Sequence, residues 1–374
     1  MLLIDDEADH ASVDTRENTC RADGELNEEH KPTAINHGIR KILNLFSKKA
    51  YVGYTATPFA NIFIHNRATT TELGDDLFPK AFISNLSAPS NYIGPAKMFG
   101  VADVEGRTGG LPLLRTIPDD DFRIQDYPKT GWMPHKHKST HVPLCDNTHG
   151  MPDSLINALN SFLIGCAIRK LRGDGAEHIS MLIHVTRFVL VQDKVHGLVH
   201  QYIRLVKQQL TRKIGDEIIL EQLEKLWLSD FIDTSHAIVS ANLEEKYLEI
   251  SWHDLLESLR SVVLDIDVRQ INGSAKDALD YEESPIGLKV IAIGGDKLSR
   301  GLTLEGLTVS YFLRASRMYD TLMQMGRWFG YRKGYLDICR LYTTAELIDW
   351  FKLITDASEE LREEFDVMVD TGGT

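Results

Sequence analysis

Five short apolar runs constrain the fold more than any other feature of this chain: "ISMLIHV" (179–185), "LDIDVRQI" (264–271), "LKVIAIG" (288–294), "LTVSYFL" (307–313) and "LDICRLYT" (336–343). Near-continuous apolar runs of this length are what strands covered on both faces require. The stretches around them carry helical spacing. Leu155, Ile156, Leu159, Phe162, Leu163 and Cys166 mark an amphipathic helix ending near Gly173; 190–229 and 247–263 read as mostly helical, and another helix starts near Ala345. Strands alternating with helices predict an α/β fold with a mainly parallel sheet.

The first hundred residues repeat this rhythm on a smaller scale. A buried strand end at 1–4 runs into Asp6-Glu7-Ala8-Asp9, and 17–31 form a polar, acidic loop. Ile35, Ile39, Ile42, Leu43 and Phe46 keep helical spacing between Thr33 and Lys49. "AYVGY" then reads as a strand, "TATP" as the turn leaving it, and 79–93 as room for one more strand. Residues 100–150 are rich in Gly, Pro, Asp and His without periodicity, which predicts a connector or surface insertion. The expected division is 1–100, 101–150 and 151–374.

The composition, 43% hydrophobic and 25% charged over 374 residues, is that of a globular protein with room for two domains. Its four cysteines, Cys20, Cys145, Cys166 and Cys339, are scattered without a C-x-x-C pair. That argues against a disulfide framework and suits a reducing cytoplasm. No run approaches the roughly 18 apolar residues of a membrane helix, and no signal peptide leads the chain. A formal charge of -13 makes the surface as a whole repel nucleic acid, so any such contact needs a local basic groove.

Four stretches carry chemistry. Two adjacent carboxylates at a strand end, Asp6 and Glu7, sit where open α/β folds bind ligands. One can hold Mg²⁺ and the other can orient an attacking water; the plain alternative is a solvated acidic loop. "GYTATP" (Gly53–Pro58) leaves its strand with Thr55 and Thr57, whose hydroxyls can bond the acidic loop. Taken alone it is only a strand-to-turn junction. "GGDKLSRGLTLEG" (Gly294–Gly306) is a glycine-rich turn with Asp296, Arg300 and Gly301. Beyond it, "QMGRWFGYR" sets Gln324, Arg327 and Arg332 on a helix and its exit. Arginine suits a developing phosphoryl charge because its planar donors stay charged; the alternative is a solvated salt-bridge face.

In order, these stretches resemble motifs II, III, V and VI of superfamily 2 helicases. That resemblance implies two RecA-like lobes of P-loop NTPase type, with ATP and Mg²⁺ as cofactors. Asp6 would serve Mg²⁺ and ATP, and Glu7 would activate water. Asp9, Thr55 and Thr57 would couple the motifs. Asp296, Arg300, Gly301 and Gln324 would contact ATP, and Arg327 and Arg332 would be arginine fingers. "SMLIHVTR" sits where motif IV belongs, which makes Thr186 and Arg187 candidate contacts to a nucleic-acid backbone. In the usual motif VI two residues separate the glutamine from Gly-Arg; here only Met325 stands between Gln324 and Gly326. "IDDEADHASV", "YTATPFANIF", "LFPKAFISNL" with "NYIG", "NGSAKDALDY" and "LMQMGRWFGYRKGYLDICRLYT" further resemble the endonuclease Z1 domain family, over 1–100 and 150–350. That family is linked to superfamily 2 helicases in bacterial DNA restriction or defence systems. DNA and other components of such a system are therefore the expected partners.

No G-x-x-x-x-G-K-[ST] occurs in the chain, so it lacks a loop able to wrap nucleotide phosphates. In RecA-like folds that loop's strand precedes the acidic strand, and only three residues precede Ile4. The expectation is a first lobe truncated at its amino terminus, and a chain inactive as an ATPase by itself. Glu29-His30-Lys31 and Asp119-Asp120-Asp121 are weak nuclease candidates, read rather as polar loops. His135, His137, His141, Cys145 and His149 could assemble a zinc site, but one thiol at non-standard spacing favours a histidine-rich connector. The leading expectation is a helicase-like ATPase core. The alternatives are an endonuclease acting on DNA and a non-catalytic interaction module.

Overall fold

Strand β1 (Leu2–Asp6) and strand β2 (Ala50–Tyr54) pair in parallel, with Ile4 opposite Val52 and Asp6 opposite Tyr54. Helix α1 (Ala34–Asn44) lies between them in sequence. The computed structural model describes residues 1–14, 32–62, 64, 69–70, 73–118, 132–134, 137–145, 147–244, 247–272, 279, 281, 284, 286–295, 303–314 and 319–371. They divide into two units, Met1–Ser87 with Glu360–Thr374, and Ala88–Glu359.

In the smaller unit the sequence reading needs two corrections. Leu2 and Ile4 are exposed, not a buried strand end. The face that α1 buries is also not the apolar one: Ile35, Ile42 and Phe46 are exposed, whereas Asn36, Arg40 and Leu43 are buried. The reason is local demand for donors. Asn36 Nδ2 donates to the Ser12 carbonyl and to Asp76 Oδ1, both at 2.9 Å. Arg40 donates to the Gly74 carbonyl and pairs with Asp76 at 3.7 Å. A buried carboxylate and buried carbonyls must be satisfied, and that outweighs exposing a few apolar side chains.

The larger unit is built on six strands: β3 (Leu114–Ile117), β4 (Ile179–His184), β5 (Ile266–Ile271), β6 (Lys289–Gly294), β7 (Leu307–Phe312) and β8 (Arg340–Thr344). All neighbours are parallel, in the order β5-β6-β4-β7-β8-β3. Every residue of β4, β6, β7 and β8 is buried, as apolar runs covered on two faces require. Helices α2 (Asp153–Leu171), α3 (Val189–Arg212), α4 (Glu217–Leu226), α5 (Ile232–Ser240) and α6 (Trp252–Val262) precede β5. Helix α7 (Tyr319–Gln324) follows β7, and α8 (Ala345–Thr371) follows β8.

One sheet face carries Met181, Ile183, Ile291, Ile293, Val309 and Tyr311 into a core with Leu159 and Phe162 of α2, Val195 of α3 and Leu259 of α6. On the other face Phe312 and Leu341 join Phe99, Trp328 and Phe351. Helix α2, expected to be amphipathic, is buried nearly all round because it packs between the sheet and α6. Residues 100–150, read as a connector, also supply edge strand β3. Four residues, Leu-Arg-Thr-Ile, are too few to show a period.

Chain order reverses around β4. The next strand, β5, lies two places away on one side, and β7 lies beside β4 on the other. In open α/β sheets such a switch point opens a crevice at the carboxyl ends of the strands. Here those ends are His184–Arg187, Gly294–Gly295 and Phe312–Arg314.

Candidate functional site

The acidic loop of the smaller unit is built by hydrogen bonds that continue the β1–β2 pair. Ala8 N–H donates to the Tyr54 carbonyl at 3.0 Å, and Asn61 Nδ2 donates to the Ala8 carbonyl at 3.0 Å. Gly53 is required beside them, because a Cβ there would stand 2.9 Å from that of Ala8. Asp9, 7% exposed, accepts from the Thr55 hydroxyl at 2.8 Å on one oxygen and from the Thr57 hydroxyl at 2.7 Å on the other. Thr57 N–H closes the turn on Thr55 Oγ1 at 2.9 Å. The two motifs recognised in the sequence are thus one hydrogen-bonded unit at one end of the strand pair.

Asp6 and Glu7 are exposed at the same end. Asp6 Oδ1 accepts the Glu7 N–H at 3.1 Å, and no protein donor among the described residues meets its second oxygen. A single outward carboxylate with a spare oxygen fits Mg²⁺, which takes one or two carboxylates and fills its shell with water and phosphate. Glu7 has φ +55°, a left-handed conformation unusual for a residue with a side chain.

The arginine motif in the larger unit follows α7, which ends at Gln324. Trp328 anchors it by packing on Phe312 and Phe351, with ring centroids 5.1 and 5.3 Å away. Gly326 admits the Phe329 ring where a Cβ would stand 2.5 Å from it. Arg327 and Arg332 are half-buried. The Arg332 guanidinium donates to the carbonyls of Tyr331 at 3.0 Å, Phe329 at 3.2 Å, Trp328 at 3.3 Å and Arg327 at 3.4 Å. It holds this turn in shape. Asp296, Arg300 and Gly301 lie outside the described residues, as do Glu29-His30-Lys31, Asp119-Asp120-Asp121 and His135.

At the switch point Thr186 is buried and Arg187 is exposed, its guanidinium 4.9 Å from the Phe188 ring centroid. Gln192 Nε2 donates to the Thr186 carbonyl at 3.0 Å. Gly295 packs against this group, where a Cβ would come 2.6 Å from Gln192 Nε2. His137, read in the sequence only as a possible zinc ligand or part of a histidine-rich connector, is brought here: its Nε2 lies 2.7 Å from Thr186 Oγ1 and its Nδ1 3.0 Å from the Pro134 carbonyl. That carbonyl can only accept, so Nδ1 carries the hydrogen and Nε2 of the neutral ring accepts the Thr186 hydroxyl. Burial pushes the His137 pKa below its ordinary value. The Pro134 hydrogen bond works against that fall, while His141, Arg314 and Arg187 add to it.

Of the other members of the histidine run, His141 stays beside His137, ring centroids 5.4 Å apart, and His149 lies elsewhere. His141 Nε2 donates to the Trp132 carbonyl at 2.9 Å, and His149 packs edge-on against Tyr202. Among the described residues no three His, Cys, Asp or Glu come together to hold a metal ion. No described helix is long and apolar enough to cross a membrane.

A sequence profile of the Z1 domain family matches residues 154–374, more than half of the chain. The chain belongs to the Z1 domain family. The Z1 match begins in α2 and takes in β4 to β8, the switch point and the arginine motif, whereas the acidic loop and edge strand β3 lie before it. No curated protein and no solved structure matches the chain.

Proposed function

We propose that this Z1 chain is the nucleic-acid-handling, helicase-like part of an ATP-dependent DNA-processing, restriction or defence protein, with two RecA-like lobes. The observation that carries the reading is Asp9 clasped by Thr55 and Thr57. A solvated acidic loop needs no such clasp; a loop that must report the state of a bound phosphate to its neighbours does. In this reading Asp6 holds Mg²⁺, which would neutralise phosphate charge, and Glu7 orients the attacking water. Asp296, Arg300, Gly301, Gln324, Arg327 and Arg332 are the nucleotide-contacting groups. Arg332 also braces its own turn. Arg187, at the carboxyl edge of β4, meets the backbone of DNA, and buried Thr186 positions it.

Fluorescence anisotropy of labelled single-stranded DNA titrated with the full chain tests the nucleic-acid part. Binding is expected to weaken steeply with salt, since each neutralised phosphate releases counterion. Arg187→Ala should lower affinity and flatten that salt slope by about one unit. No binding at low salt, or an Arg187→Ala variant that binds as tightly as the parent, refutes the assignment.

A further inference from the structure

Strand β5 closes one side of the six-stranded sheet, and among the described strands only β6 pairs with it. Ile266 and Val268 put their side chains into the core that they share with Val195, Val199 and Val206 of α3. That packing lays α3 along the strand, and side chains of the helix reach the outward backbone of β5. Lys207 Nζ donates to the Ile266 carbonyl at 2.6 Å and to the Leu264 carbonyl, just before the strand, at 3.2 Å. His196, about three turns earlier on the same helix face, has Nε2 3.2 Å from the Val268 carbonyl. A carbonyl can only accept, so the imidazole donates. The Val268 N–H donates to Asp267 Oδ1 at 3.0 Å, and Arg269 Nε steadies the same carboxylate through Oδ2 at 2.8 Å.

We propose that Lys207, His196 and Asp267 close the β5 edge against strand addition by a second copy of this chain, so that the larger unit keeps a six-stranded sheet and partners dock on other surfaces.

The outward N–H and C=O groups of an edge strand are a template for another strand, and water leaves them available. Here side chains occupy them. A second copy would meet this edge about a two-fold axis, β5 against β5, so both copies would have to give up the same bonds. The joined strands would then cover an ammonium and a carboxylate whose backbone partners had been taken. The opposite edge of the sheet repeats the device with fewer parts. Strand β3 is only four residues long, and the Leu341 N–H takes the Leu113 carbonyl at 2.9 Å. The next carbonyl, of Leu114, accepts from Arg115 Nη1 at 2.8 Å.

The test combines amide hydrogen exchange with light scattering. In the unsubstituted full chain the Val268 amide should exchange about ten- to a hundredfold more slowly than an unprotected peptide amide, as a bond to a carboxylate requires. Exchange over 266–271 should be the same in dilute and concentrated samples. A chain carrying Lys207→Ala, His196→Ala and Asp267→Ala together should lose most of the Val268 protection when dilute. On concentration its mass should climb toward that of a dimer of the parent species, and exchange over 266–271 should slow again. Lys207→Arg alone, which keeps the donor, should behave as the parent. An unprotected Val268 amide in the parent, or protection over 266–271 that grows with parent concentration, overturns the proposal. So does a triple variant with the parent's circular dichroism that neither gains mass nor slows exchange on concentration. The exchange measurement on the parent decides even where the triple variant fails to fold.

Discussion

Glu7 holds a backbone conformation that costs a side-chain-bearing residue about 1–2 kcal/mol. The side chain is exposed and has no hydrogen-bond partner among the described residues, so only bonds of its own backbone hold the conformation: Glu7 N–H to Asp6 Oδ1 at 3.1 Å and His10 N–H to the Glu7 carbonyl at 3.0 Å. The strained residue stands between the Asp6 carboxylate and the buried Asp9 clasp. Glu7→Gly should therefore stabilise the protein by about 0.5–1 kcal/mol, the released strain less the extra chain entropy of glycine. Thermal or denaturant unfolding reads this directly, and a destabilised variant would show that the glutamate side chain does structural work. Asp9 is the opposite case. Both of its oxygens are occupied by threonine hydroxyls, so its charge is spent on joining two loops.

Among the elements, the π-helical turn Trp227–Phe231 between α4 and α5 carries a buried carboxylate that joins two strands. Its Asp230, 9% exposed, accepts from Arg115 of β3 at 2.8 Å and from Arg340 of β8 at 2.9 Å. Arg340 is itself buried and donates to the Asp337 and Cys339 carbonyls, both at 2.7 Å. Burial alone works to raise the Asp230 pKa; the hydrogen bonds and charges of Arg115 and Arg340 overcome it and hold the carboxyl below the usual carboxylate range. A depressed folded-state pKa contributes stability that is present above the unfolded carboxylate pKa, about 3.9, and is lost as pH falls through the folded value. Asp230→Asn should cost about 3–5 kcal/mol at neutral pH because it leaves two guanidiniums without their counter-charge. It should also make unfolding less steeply acid-dependent below about pH 4 than in the parent. Parallel melts at neutral and acid pH check both; an equal loss at the two would mean that packing, not charge, is what the substitution removes.

For the whole molecule the prediction concerns turnover. Phosphoryl transfer depends on positioning and charge stabilisation, and every missing phosphate ligand has a large cost in rate. The chain supplies carboxylates and arginines, but its sequence has no G-x-x-x-x-G-K-[ST] to cradle the phosphates. Residues 1–374 should show negligible ATP hydrolysis in a phosphate-release assay, with or without DNA. In a protein that joins these residues to a P-loop, Glu7→Gln should stop turnover while ATP binding survives, and Arg327→Ala should lower turnover more than binding. Robust hydrolysis by the bare chain would place the phosphate site elsewhere.

Local physics made much of this legible from residues alone. Apolar runs such as "ISMLIHV" and "LKVIAIG" specify strands buried on two faces, and their alternation with helices specifies a parallel sheet; both are in the structure. The acidic loop and the T-A-T turn were readable as partners because each follows a strand, and parallel neighbours put those ends on the same edge. Which face of α1 is buried was not readable. Asp76 and the carbonyls that claim Asn36 and Arg40 arrive from a distant stretch of chain. Strand β3 was hidden because four residues hold no period, and only the neighbouring β8 tells Leu114–Ile117 to extend. His137 beside Thr186 was hidden for the same reason: a hydrogen bond between residues 49 positions apart leaves no mark on the spacing of either segment. Periodicity encodes what each stretch must do with water. The assignment of partners across the chain is a property of the folded packing alone.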